Sequence, residues 1–177
     1  MARQLITGAF LAMVLAVGMP GTVAQEISAL KDHDTDRPID ITADRLEVKQ
    51  KENQAIFKGA VEAVQGDLKL TSAELIVYYE TTDGATNPTI SRLDATGGVA
   101  LNSPSETAQG NWGVYDVERR LVTLGGAVML SRGDTVITGE RLELDLESGI
   151  TKIDGAPAND GDDTNRVKGT FTLPEKQ

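Results

Sequence analysis

The chain has 177 residues, with 17 Lys and Arg against 27 Asp and Glu, a formal net charge of −10, and no cysteine. An acidic balance of this kind excludes binding to a nucleic-acid backbone, which needs clustered cations. The missing cysteine excludes a disulfide scaffold, thiolate metal ligands and a thiol nucleophile, and with aromatic residues at only 4% the interior must be built from Val, Leu, Ile and Ala.

In chain order, the first element is an apolar run from Leu5 to Val17, preceded by Arg3 and followed by the small-residue site Thr22-Val23-Ala24. Residues 1–24 therefore read as a secretory signal peptide cut after Ala24. The alternative, an uncleaved membrane anchor, asks a run shorter than the ~20 residues that span a bilayer to do so. Cutting there removes Arg3 and no acidic residue, leaving 16 basic against 27 acidic side chains. Residues 25–37, with "KDHDTDR", read as a charged flexible leader. Its "DHDTD" surrounds the only histidine, His33, but has Ala43 where a calcium loop would need its final Glu.

The sheet is expected to begin at Pro38-Ile39-Asp40-Ile41, and from there the chain repeats itself. Gly59-Ala60-Val61, Gly97-Gly98-Val99, Gly126-Ala127-Val128 and Gly155-Ala156-Pro157 follow at offsets of 38, 29 and 29 residues. Thr42, Thr71, Gln109 and Thr138 keep the same unit, at 29, 38 and 29. The nine extra residues fall near "TTDGATNPT", whose Asp-Gly and Asn-Pro pairs mark a loop.

Each copy alternates apolar and polar residues, so each reads as strand, turn, strand, turn. Asn53 or Gly149 stands near the first turn, and "QGD", "SPS", "RGD" or "GDD" at the second. Arg141, Glu143, Asp145 and Glu147 then form a wet face, more simply solvent-exposed than catalytic. The "RGD" at 132–134 is a turn, and Trp112 between two glycines is local packing. One copy cannot bury its apolar face alone, whereas stacked copies join their faces into a continuous seam. Glycines in register inside strands predict a crease that folds the sheet over an apolar interior. The fourth copy degrades at Pro157, an acidic loop over 158–166 follows, and 167–173 offers a last strand. Residues 38–177 thus form one all-β domain of four degenerate repeats. Its open edges are placed at Ile39 and Ile41 and at Val167 and Phe171.

"RPIDITADRLEV" followed by "FKGAVEAVQGDLKLTSAELIVYY", behind a signal peptide and ahead of degenerate copies, resembles the LptA, OstA-like family of periplasmic lipopolysaccharide-transport proteins. The resemblance covers residues 37 to 154, most strongly 37 to 79. It implies an antiparallel β-jellyroll, or β-taco, that shields the acyl chains of lipopolysaccharide in an interior groove between the inner and outer membranes. It also implies an LptC-like inner-membrane subunit and an LptD-like outer-membrane barrel as partners, a possible head-to-tail homo-oligomer, and no catalysis or cofactor. The positions that the repeats place on the apolar face would line the groove: Leu46, Val48, Phe57, Val61, Leu75, Val77, Leu93, Val99, Leu124, Val128, Leu142, Leu144 and Ile153. With so acidic a chain, the phosphorylated headgroup would stay in solvent at the groove mouth or be bridged by divalent cations. Two alternatives stay open: an LptC-like anchored subunit that keeps residues 1–24, and an exported glycan-binding or glycan-cleaving β-solenoid.

Overall fold

The structure is a computed structural model that describes residues 33–81, 88–156 and 166–172. The signal peptide, residues 82–87 of the insertion and nearly all of the acidic loop lie outside the described residues. The described residues form ten strands: β1 (Asp40–Thr42), β2 (Arg45–Lys49), β3 (Gln54–Gln65), β4 (Leu68–Glu80), β5 (Thr89–Asn102), β6 (Thr107–Asp116), β7 (Leu121–Arg132), β8 (Thr135–Asp145), β9 (Thr151–Asp154) and β10 (Lys168–Thr170). One 3-10 turn at Gln50–Glu52 joins β2 to β3.

Each sequence repeat is a hairpin. The first pairs β1 and β2 with β3, the second β4 with β5, the third β6 with β7, and the fourth β8 with β9. Neighbouring hairpins pair in turn, giving a single antiparallel sheet in the order β1-β3-β4-β5-β6-β7-β8-β10, with β2 also on β3 and β9 also on β8. The turns use the residues that their geometry demands. Asn53, Gly66, Gly133 and Gly149 all have positive φ, where Gly and Asn meet least steric resistance.

The ladder slips within each of β3 to β7. Register shifts fall between Lys58 and Val61, Thr71 and Glu74, Thr96 and Val99, Gln109 and Trp112, and Gly125 and Val128, and a further one on β4 falls between Tyr78 and Tyr79, near that strand's end. The first five line up across the sheet and fold it into two layers, one holding β2 and β9 at its margins and the other β1 and β10. Three of the four predicted crease glycines sit in this line, Gly59, Gly97 and Gly126, all with positive φ. The fourth, Gly155, lies just past the end of β9 at Asp154. The Thr71, Gln109 and Thr138 landmarks fall on the partner strands, each just before its own bend.

Between the layers lies the core: Val61, Leu75, Val77, Leu93, Val99, Leu101, Tyr115, Val122, Leu124, Val128, Leu142, Leu144 and Leu146 are all buried. Each such aliphatic side chain contributes about 1.5–3 kcal/mol by leaving water. The opposite face is wet. Lys58 pairs with Glu74 at 3.0 Å and Arg141 with Glu143 at 2.6 Å, exposed contacts that keep the strands soluble more than they hold them. Asp145, in the predicted wet row, closes the β8–β9 turn. Its carboxylate accepts the backbone N–H groups of Ser148 at 3.0 Å and Glu147 at 2.9 Å, and those bonds hold it below the usual carboxylate range. The indole of Trp112 lies against Gly125, where no side chain stands in its way.

Candidate functional site: the interior groove

The fold collects the predicted groove residues on one face. Nine of the thirteen are buried between the layers: Val61, Leu75, Val77, Leu93, Val99, Leu124, Val128, Leu142 and Leu144. Phe57 and Ile153 are partly buried against the same core. Leu46 and Val48 stand opposite Phe57 and Ala55, so they share the interior face, yet each is 53% exposed because, among the described residues, β2 pairs with β3 alone and forms an edge. Of the predicted partner edges, Ile39 and Ile41 turn their side chains onto the core, whereas Val167 and Phe171 are exposed beside β10.

Along its middle the interior is packed. Among the described residues small spaces remain there, one of about 30 Å³ beside Ile39, Leu70, Leu93, Tyr115 and Val122, and one of about 10 Å³ beside Leu68, Leu101, Leu142 and Leu144. Spaces of this size hold a water or two, so a lipid chain enters the middle only if the layers part. At the β9–β10 end the layers already diverge. A cleft of about 530 Å³ opens there between Leu130, Ile137, Ile153, Val167 and Phe171.

Two polar devices interrupt the apolar interior. Gln65 on β3 and Tyr115 on β6 belong to different layers, and the Tyr115 hydroxyl donates to Gln65 Oε1 at 3.4 Å across the gap. Burial holds the Tyr115 phenol above its ordinary ionisation range. At the rim of the open cleft the Glu106 side chain, 5% exposed, is paired with Arg132, which is 35% exposed. Arg132→Ala would leave this carboxylate buried without that cation. We expect it to lower unfolding free energy by about 2 kcal/mol, discounted from a fully buried pair for the exposure of the arginine. The double variant Arg132→Ala/Glu106→Gln should recover most of the loss in urea unfolding, and no recovery would place the cost elsewhere.

Neither the sequence list of groove positions nor that of partner edges contained Gln65, Glu106, Arg132, Ile137 or Leu146. The repeat alignment marks apolar positions on one face, and nothing in it singles out a polar side chain turned inward at a strand end or a leucine in a turn.

A single antiparallel sheet creased over an aliphatic interior is the architecture of a β-jellyroll. The family model of the LptA/(LptD N-terminal domain) LPS transport protein matches residues 40–150, and the chain belongs to that family. It is a family of transport proteins, and the chain is not an enzyme. Similar in sequence is an uncharacterized protein of Rhizobium meliloti (strain 1021), 33% identical over 123 residues, which are 67% of this chain and 66% of that protein. Similar in fold is the crystal structure of LptH, the LptA homologous periplasmic component of the conserved lipopolysaccharide transport device from Pseudomonas aeruginosa. It superimposes with a TM-score of 0.67 at 19% identity, covering 80% of this chain and 99% of that one. Among the described residues no helix is long and apolar enough to cross a membrane.

Proposed function

We propose that the protein is a periplasmic carrier that bridges inner and outer membranes and shields the acyl chains of lipopolysaccharide between its two layers. The observation that carries this reading is the continuity of the apolar face from one open edge to the other. It runs from half-exposed Leu46 and Val48 on β2, through the buried row on β3 to β8, to the cleft at Ile153 and Phe171. Each acyl methylene shielded from water contributes about 0.8 kcal/mol, and affinity spread along repeated aliphatic positions lets a chain slide without a deep trap.

The margins supply the partners in this reading. β1 and β2 would add to an LptC-like inner-membrane subunit, β9 and β10 to an LptD-like barrel or to the next copy, each by strand addition. The signal peptide would be removed after Ala24, and the headgroup phosphates would stay at the mouth in solvent or on divalent cations. Ile153→Asp places a charge in the cleft on a short edge strand, where folding tolerates it best. We expect its affinity for fluorescent rough lipopolysaccharide to fall at least tenfold with little change in melting temperature. Unchanged affinity in the folded variant would remove the cleft from the binding path.

A further inference from the structure

Residues 33–37, separated from the first strand by Pro38 and Ile39, cross the mouth of the groove. From Pro38 back to His33 the chain leaves the end of β3, in one layer, and reaches the β6–β7 turn, in the other. Gln65 holds it at the first side: its Nε2 donates to the carbonyls of Thr35 and Arg37, both at 2.9 Å, and its Oε1 lies 3.1 Å from His33 Nε2. Asp36 reaches the second side, where its Oδ1 is 3.9 Å from Arg120 Nη2. A glutamine amide offers two donors and two lone pairs. All four are engaged here, three by this strap and one by Tyr115.

The strap is built to let go. His33, Asp34, Thr35, Asp36 and Arg37 include no large apolar side chain, so nothing hydrophobic anchors it, and the Asp36 side chain is 89% exposed. Its polar groups rehydrate on release, so opening strands no buried donor on the strap itself. Beneath it lies the larger of the two interior spaces, walled by Ile39, Leu70, Leu93, Leu101 and Val122, with Gln65 and Tyr115 at the border. Once the strap lifts, that wall meets water, and a linear hydrocarbon chain is the ligand chemistry that covers it.

We infer that residues 33–37 close a lateral entry site for a single acyl chain and that loading requires the strap to leave Gln65. This rests on the carrier reading above. Because the chain has no cysteine, the variant Asp36→Cys/Arg120→Cys can be bridged selectively with a short bis-maleimide. Uptake of cis-parinaric acid, a fluorescent linear fatty acid, is then followed by stopped flow in the full-length secreted protein. Bridging should slow uptake at least tenfold, while the same variant capped with a monofunctional maleimide, which lacks both the bridge and the Asp36–Arg120 contact, fills at least as fast as the parent. Gln65→Leu, which frees the strap, should fill several-fold faster. A bridged protein that fills at the parent rate, or a folded Gln65→Leu no faster than the parent, overturns the entry site while leaving the carrier reading intact. No uptake by the parent protein overturns both.

Discussion

Leu124→Ala is expected to lower the unfolding free energy by about 4 kcal/mol, toward the upper end of the range for a buried leucine. Leu124 is 0% exposed, stands opposite Leu142 on β8, and covers Gly113 on β6, which has no side chain to move into the space left behind. The cavity would therefore stay open, and its cost would add to the lost transfer energy. Met129→Ala, five residues along the same strand but 42% exposed, should change stability by about 0.5 kcal/mol or less. Urea unfolding of both variants checks the contrast. A loss below about 1 kcal/mol at Leu124 would mean that the two layers are not closely packed there.

The second large effect is expected at the crease, and it distinguishes two adjacent glycines. Both have positive φ, 84° at Gly97 and 81° at Gly98, but only Gly97 is crowded: a Cβ there would come 2.5 Å from that of Ala73, whereas one at Gly98 would meet open space. Ala73 belongs to the neighbouring strand at its own bend and cannot swing aside. Gly97→Ala should cost about 3 kcal/mol, the strained backbone and the collision acting together. Gly98→Ala should cost about 1 kcal/mol or less. The chain already contains that second substitution twice, since Ala60 and Ala127 occupy the equivalent place with φ of 42° and 53°. Equal losses at the two sites would show that the backbone conformation alone, and not the close approach of the strands, sets the need for glycine.

The repeat made the fold legible before any coordinates. A period of 29 residues with glycine in register specifies stacked hairpins bent along one line, and the described strands follow it. The apolar face was legible too, because alternation within a strand fixes which side chains share a face. The space enclosed was not. Whether two apolar faces touch or stay apart depends on the angle of the crease, which no residue pattern encodes, and here Leu75 and Leu124 meet a filled interior. Leu46 and Val48 obey the same alternation and are exposed, because alternation does not report that a strand is last in its sheet. In the sequence Gln65 is only the first residue of the "QGD" turn, and its role as a clasp needs His33, Thr35 and Arg37, some thirty residues away in the chain and adjacent only once β1 has paired with β3.

The central claim is that acyl chains travel between the layers. A photo-crosslinking residue placed at Phe57, partly buried on the interior face, and another at Glu143 on the wet face of β8 test it in cells that make lipopolysaccharide. The account predicts lipid attached to the purified protein from position 57 and none from position 143. Folded, exported protein that crosslinks no lipid from position 57, or as much from 143 as from 57, would contradict it.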